Sequence, residues 1–416
     1  MSATVVSYYE DLDSSDAGDF GRDREPMKSR ARFPESRRKG QPAARGNGMH
    51  CRRQKRWTWG RGHGARMLDL KSFASCVALC VASLAAAASA APLSVPTVVI
   101  GNSGNAGNAV TTAGVTGTFG AVNYTYRMGQ FETTNAEYAA FLNSVDPTAN
   151  NNPSSIYNPL MGSDTVNGGI IRTPGSGYSV RAGFANKPVT YTTWFSAARY
   201  CNWLTGGQVS GTSTINKGSY TLTTTQTSGA IVARNAGAVF VLPSANEWYK
   251  AAYYNPTLSG TGGYYMYATG NNTAPTATVT NTSLANAANY GGNNTPAVST
   301  GVVDVGSYTN SASSYGVFGM FGNVMEMSDT AGGTAGQWYV SGPSWKMNTA
   351  QVATWGSTTT RFLTSTGDNA TGFRIAAVPE PGTMVMAAIG IGGLLGYDLV
   401  RRRKRRPAAE CMPAAV

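Results

Sequence analysis

Between Pro92 and Val378 this chain has no histidine and one cysteine, Cys201; His50, His63, Cys51, Cys76, Cys80 and Cys411 all lie outside that span. Without an imidazole the segment cannot assemble a Ser-His-Asp triad, a Cys-His dyad, an imidazole zinc site or a facial iron triad. A lone thiol cannot close an internal disulfide either. Charge is equally sparse, with 11 basic and 9 acidic residues in the segment, a net of +2. The whole chain carries +12, but the excess sits at its ends: 15 of the 33 Lys and Arg precede Met67, and six more form the run from Arg401 to Arg406. Phosphate binding needs a concentrated basic surface, so no nucleic-acid partner is expected. What remains is 416 residues, 42% of them hydrophobic, enough for a substantial core in one large domain or two ordinary ones.

The ends of the chain read as addresses. From Met67 the sequence MLDLKSFASCVALCVASLAAAASAAP has a lysine-bearing start, an apolar run from Phe73 to Ala88 and small residues at Ala88 and Ala90. This is the grammar of a signal peptide over 67–90, cut between Ala90 and Ala91; the alternative, a membrane anchor, is disfavoured because the run is short for the roughly 20 residues a bilayer requires. Residues 1–66 are Arg-rich and nearly free of aliphatic periodicity, so they are expected to be disordered: either a start assigned upstream of the true initiator Met67, or a genuine extension. At the other end Pro379, Glu380 and Pro381 precede an apolar stretch from Met384 to Tyr397 and the basic run. A membrane helix is expected over 384–400, with its basic end held in the cytoplasm, followed by a disordered tail over 407–416. The order of these parts over 378–406 resembles the PEP-CTERM sorting signal, which implies recognition by an exosortase-type processing enzyme and transient anchoring in the inner membrane. An ordinary carboxyl-terminal anchor predicts the same outward-facing domain.

The middle is rich in Gly, Asn, Ser and Thr. Thr134 with Glu137 forms a capping box ahead of EYAAFLNSV, and Ser244 with Glu247 does the same ahead of EWYKAAYY. A third helix is predicted over Trp194 to Leu204, where Trp194, Ala197, Ala198, Cys201 and Leu204 share one face, making Cys201 a packed core thiol. AVFVLP, Ala238 to Pro243, reads as a buried strand, and short pieces such as Ser219 to Leu222 as β-prone. The result is an irregular α+β domain dominated by loops, in which bound calcium would tie long polar segments down.

The ordered blocks FETTNAEYAAFLN, SIYNPLM, PVTYTTWFSAARYCNWL, FVLPSANEWYKAAYY, VGSYTNSASSYGVFGMFGNVMEM, SGPSW and TGFR resemble the formylglycine-generating, sulfatase-modifying factor family. The resemblance covers 120–377, after a strand or linker region over 91–119. It implies a loop-rich, C-type-lectin-like fold with short helices, small sheets and bound calcium. By that resemblance the block from Gly316 to Met327 would ligate calcium through the carbonyls of Gly319, Gly322 and Val324 and the carboxylate of Glu326. On the other reading the block is a turn and Glu326 a surface charge. A second site would begin at Asn289 and Tyr290, its remaining ligands falling where this sequence is shorter. Oxidase members of the family hold copper(I) with two cysteines shortly after a Gly-Gly-Ser-aromatic block, here Gly342 to Trp345, whose Ser344 and Trp345 would border the pocket. Met347 and Val352 occupy the cysteine positions, so no copper is expected.

The reading favoured is therefore an exported, surface- or matrix-displayed, calcium-stabilised module that binds a glycan or an extracellular protein. The alternatives are a sulfatase-modifying type oxidoreductase acting without the usual cysteines and a purely structural matrix component.

Overall fold

A computed structural model of the chain describes residues 92–112, 115–332, 337–355, 358–362 and 367–379. The basic extension, the signal peptide with Ala90 and Ala91, and the segment from Glu380 onward, including the expected membrane helix, lie outside these residues. Five α-helices are present among them: α1 Asn135–Val145, α2 Leu160–Ser163, α3 Trp194–Thr205, α4 Ala245–Tyr253 and α5 Thr349–Trp355. Both predicted capping boxes form: Thr134 and Ser244 accept from the backbone N–H of Glu137 and Glu247, and each glutamate returns a bond to its cap residue's N–H. The third box, Thr193 with Ser196 at the start of α3, uses a serine where the signature has Glu or Gln.

Two four-stranded sheets organise the domain. In the first the order is Thr97–Ile100, Tyr126–Gly129, Ala376–Ala377 and Phe240–Val241, antiparallel throughout. The beginning and end of the domain are thus hydrogen-bonded to one strand, and residues 97–100 form the sheet's edge. The second sheet runs Thr358–Phe362, Gln337–Ser341, Met325–Ala331 and Thr371–Gly372, the last pair parallel. Residues 373–375 cross from the second sheet to the first, and this crossover carries the buried Arg374.

The predicted strand in AVFVLP shrinks to Phe240–Val241, because its only ladder partner is the two-residue strand Ala376–Ala377. Ser219, Tyr220 and Leu222 are buried and Thr221 is exposed, but the segment forms no strand. Its backbone is satisfied by a side chain instead: Asn202 of α3 accepts from Tyr220 N at 2.7 Å and donates to Tyr220 O at 2.9 Å. Asparagines repeat this device elsewhere. Asn143 brackets Tyr178 in the same way (2.8 and 2.7 Å), and Asn135 donates to the carbonyls of Phe184 and Lys187. A primary amide offers a donor and an acceptor in one plane, so a buried Asn stands in for a strand neighbour and keeps loop backbone paired.

Helix α3 is buried on nearly every side, and Cys201 at its centre has no exposed surface. Burial pushes its thiol well above the ordinary range, with a smaller push from Asp329. Native protein should therefore react with a thiol reagent only through unfolding, at least about 1000-fold slower than in denaturant. Stopped alkylation followed by intact mass checks this; labelling at the denatured rate would contradict the packing.

Candidate functional site

The calcium block predicted from the sequence lies at the junction of the two sheets, in a cluster of buried charge. Glu326 stands on the strand Met325–Ala331, and Arg374 reaches it from the crossover. The pair is bidentate: Arg374 Nε donates to Oε2 at 2.5 Å and Nη2 to Oε1 at 2.6 Å. Trp248 of α4 adds a third donor, Nε1 to Oε2 at 2.8 Å. The guanidinium also donates to the carbonyls of Gly129 (3.0 Å) and Phe318 (2.9 Å), so one side chain ties the first sheet, the second sheet and the glycine loop together. All three side chains are essentially sealed from solvent.

A second carboxylate completes the cluster. Glu132 is 1% exposed and follows closely on the first-sheet strand Tyr126–Gly129. Asn323 Nδ2 donates to its Oε1 at 3.0 Å, while Oε2 accepts no hydrogen bond and lies 3.9 Å from Arg374 Nη2. Burial lifts the Glu132 carboxyl to about 7; Arg374 opposes that rise and the nearby Glu326 adds to it.

Gly319 and Gly322 shape the loop. Both have positive φ, and a Cβ on Gly319 would fall 2.3 Å from Glu132 Oε2, so the backbone is pressed onto the carboxylate. At Gly322 a Cβ would strike the carbonyl of Asn289 at 2.5 Å. Asn289 is thereby brought into the same cluster: its carbonyl accepts from Asn323 N (2.8 Å), and its amide donates to Asn323 Oδ1 (3.1 Å) and Gly301 O (2.9 Å). The Val324 side chain packs in a small apolar group with Val302, Trp345 and Ala370, and the Tyr290 hydroxyl donates to the carbonyl of Pro275 at 2.6 Å.

Chemistry tests how calcium fits the ligands carried over from the family. Glu326 does not offer a free carboxylate: three N–H groups already hold it, and a full positive charge already neutralises it. Among the described residues no group of three or more Asp, Glu, His or Cys is gathered, so any ion here must draw on carbonyl and amide oxygens.

At the family's copper positions Met347 is 7% and Val352 4% exposed, and both belong to the hydrophobic core. Ser344 and Trp345 are buried beside them; Trp345 N donates to Asn323 O (2.8 Å) and its indole to Asn369 O (3.0 Å). A thioether and an aliphatic side chain supply no thiolate for copper(I).

A second buried charge cluster was not anticipated. Arg234, from an irregular segment, meets Glu247 of α4 (Nη2 to Oε2 2.6 Å) and Asp329 of the second sheet. Tyr124 donates to Glu247 Oε1 at 2.5 Å and Tyr220 to Asp329 Oδ2 at 3.0 Å. The sequence signal was only that Glu247, already used as a capping residue, has a second oxygen to satisfy. Arg234 keeps 22% of its side chain exposed and, with Asn123, Tyr124 and Asn235, lines an open groove of about 390 Å³.

The profile of the sulfatase-modifying factor enzyme 1-like domain matches residues 89–378, and a PEP-CTERM protein-sorting motif matches 377–406. The chain belongs to the sulfatase-modifying factor family, with the irregular α+β fold of the formylglycine-generating type. The sorting motif implies export to the cell envelope and processing by an exosortase-type system. Solved structures with similarity include CarF (18% identity, TM-score 0.44, covering 69% of this chain and 99% of that one) and the Treponema denticola variable protein 1 (18%, 0.41, 70% and 98%). PvdO from Pseudomonas aeruginosa aligns at 14% identity and TM-score 0.35, covering 69% and 93%. No curated protein matches. Among the described residues no helix is long and apolar enough to cross a membrane.

Proposed function

We propose that this exported domain is displayed at the cell surface or in the extracellular matrix, where it binds a glycan or an extracellular protein and does not act as an oxidase. The observation that carries the reading is the burial of Met347 and Val352 in the core, where the family's oxidases present their copper cysteines. The groove beside Arg234 is the candidate ligand site. Its volume of about 390 Å³ suits a small ligand, and it combines an apolar wall (Ala238, Val378, Pro379) and an aromatic face (Tyr124) with two amides (Asn123, Asn235) and part of a guanidinium whose charge is already balanced. Such a lining favours neutral ligands with both an apolar face and polar groups, as in the pyranose rings of carbohydrate, over anions. Calcium enters the proposal as a stabilising ion. Before processing, the segment over 384–400 anchors the chain in the membrane.

A glycan array on the exported protein tests this. Binding to a restricted set of glycans is expected, abolished by Asn123→Trp, which fills the groove from its exposed rim without touching the core. Conversion of a sulfatase-type peptide cysteine to formylglycine would overturn the non-catalytic reading. Failure to bind any glycan or envelope protein would leave a structural matrix component as the better description.

A further inference from the structure

We propose that Glu132, and not Glu326, anchors a single hard cation, with Ca²⁺ as the fitting ion, in the small cavity that separates it from Asp304. The inference rests on the reading of the domain as calcium-stabilised and moves the ion's charged ligand to a residue outside the glycine block.

Four observations converge there. Glu132 Oε2 is fully buried and accepts no hydrogen bond, although its partner oxygen is held by Asn323. A buried carboxylate oxygen without a donor is costly unless a cation or proton meets it. The buried cluster of Glu132, Glu326 and Arg374 is one positive charge short, because the guanidinium fork is spent on Glu326. Glu132 also lines a cavity of about 10 Å³, room for one water-sized particle. Finally, that cavity is lined by a further carboxylate, Asp304 at its exposed mouth, by the backbone of Gly319 and by aromatic walls from Phe318 and Phe321, and by no basic side chain; the amide oxygens of Asn289 and Asn323 at its wall are already taken by Ser299 Oγ and by Asn289 Nδ2 and Val303 N. Carboxylate oxygens in an irregular loop setting, with backbone oxygen beside them, are what Ca²⁺ accepts, whereas thiolate- or imidazole-seeking metals find nothing there. Gly319 is required for a reason separate from its own carbonyl: any side chain at that position would occupy the space over the Glu132 carboxylate.

The test uses the full-length exported chain stripped with chelator. Adding Ca²⁺ alone at about 100 times its dissociation constant should raise the melting midpoint by roughly 5–10 °C. Terbium(III) should bind at the same place and emit on tyrosine excitation, because Tyr308 lines the cavity. Glu132→Gln should abolish both responses. Asp304→Asn, at the exposed mouth and harmless to folding, should weaken the ion's affinity at least about 10-fold. Glu326→Gln should melt lower yet keep the full calcium increment, and Tyr308→Phe should lose terbium emission but keep the calcium shift. If calcium stabilises the protein and the increment vanishes in Glu326→Gln but survives in Glu132→Gln, the ion sits where the family pattern places it and the proposal fails. If calcium has no effect on the wild type, the calcium-stabilised reading fails with it.

Discussion

Arg374→Met should lower the melting midpoint by roughly 6–20 °C, the largest effect of any single substitution in this domain. Arg374 is sealed from solvent and makes four hydrogen bonds, two to Glu326 and one each to Gly129 and Phe318. Methionine fills much of the same volume, so the loss is mainly electrostatic: Glu326 remains buried with its counter-charge removed. Removing one partner of a buried pair costs about 3–5 kcal/mol, and each kcal/mol shifts the midpoint of a domain this size by roughly 2–4 °C. Arg374→Lys separates charge from geometry. An ammonium keeps the charge but cannot span both oxygens of Glu326 and two carbonyls, so it should fall between methionine and wild type. Thermal unfolding followed by far-ultraviolet circular dichroism measures all three. A methionine variant melting within about 2 °C of wild type would mean that the guanidinium does not clamp the two sheets.

Arg234→Met is expected to cost about 3 kcal/mol, the low end for a buried pair because part of the side chain meets solvent. That corresponds to roughly 6–12 °C at neutral pH. Its pH dependence carries the diagnosis. In the wild type, burial raises Glu247, but Arg234, Tyr124 and the Ser244 N–H together hold its carboxyl below 4.5; that stability is present above 4.5 and is lost as pH falls through the folded value. Asp329 behaves oppositely. Burial outweighs Arg234 and lifts it from 3.8 to about 6, so ionising it costs stability as pH rises through that window. Without Arg234 both carboxyls shift upward, and a raised carboxyl costs stability only where the unfolded chain would be ionised. The deficit should therefore be greatest above about pH 6 and shrink on acidification toward the unfolded values of 3.8 and 4.5. A deficit that stays constant with pH would assign it to lost packing around the Arg234 stem.

The helices show how much of the fold was legible in advance. Capping boxes act over three residues, and Thr134, Glu137, Ser244 and Glu247 fix where α1 and α4 begin whatever surrounds them. The apolar face of α3 likewise placed Cys201 in the core. Strands were harder, since a ladder exists only if a partner arrives. Ser219 to Leu222 has β-prone residues and is buried except at Thr221, but the backbone of Tyr220 is paired by Asn202, and nothing local announces that an amide will replace a strand. The short helix α5, after Met347, went unread although its start is written locally: Asn348 and Gln351 exchange the same reciprocal capping bonds.

The candidate site divides along the same line. Sequence alone determined the chemistry that is missing, because residue types do not depend on folding: no histidine and one cysteine between Pro92 and Val378, with Met347 and Val352 where the family's copper ligands stand. It also determined the addresses at the ends and the position of the glycine loop, since sorting signals and left-handed backbone are written in contiguous residues. Only the tertiary structure decided which carboxylate is free. Glu326 and Glu132 are equally good oxygen ligands on paper. The fold brings Arg374 across 48 positions to neutralise the first and Asn323 across 191 to hold one oxygen of the second, leaving the other without a donor. Electrostatic pairing between distant residues is set by where the two sheets meet, and no local pattern in the chain encodes that distance.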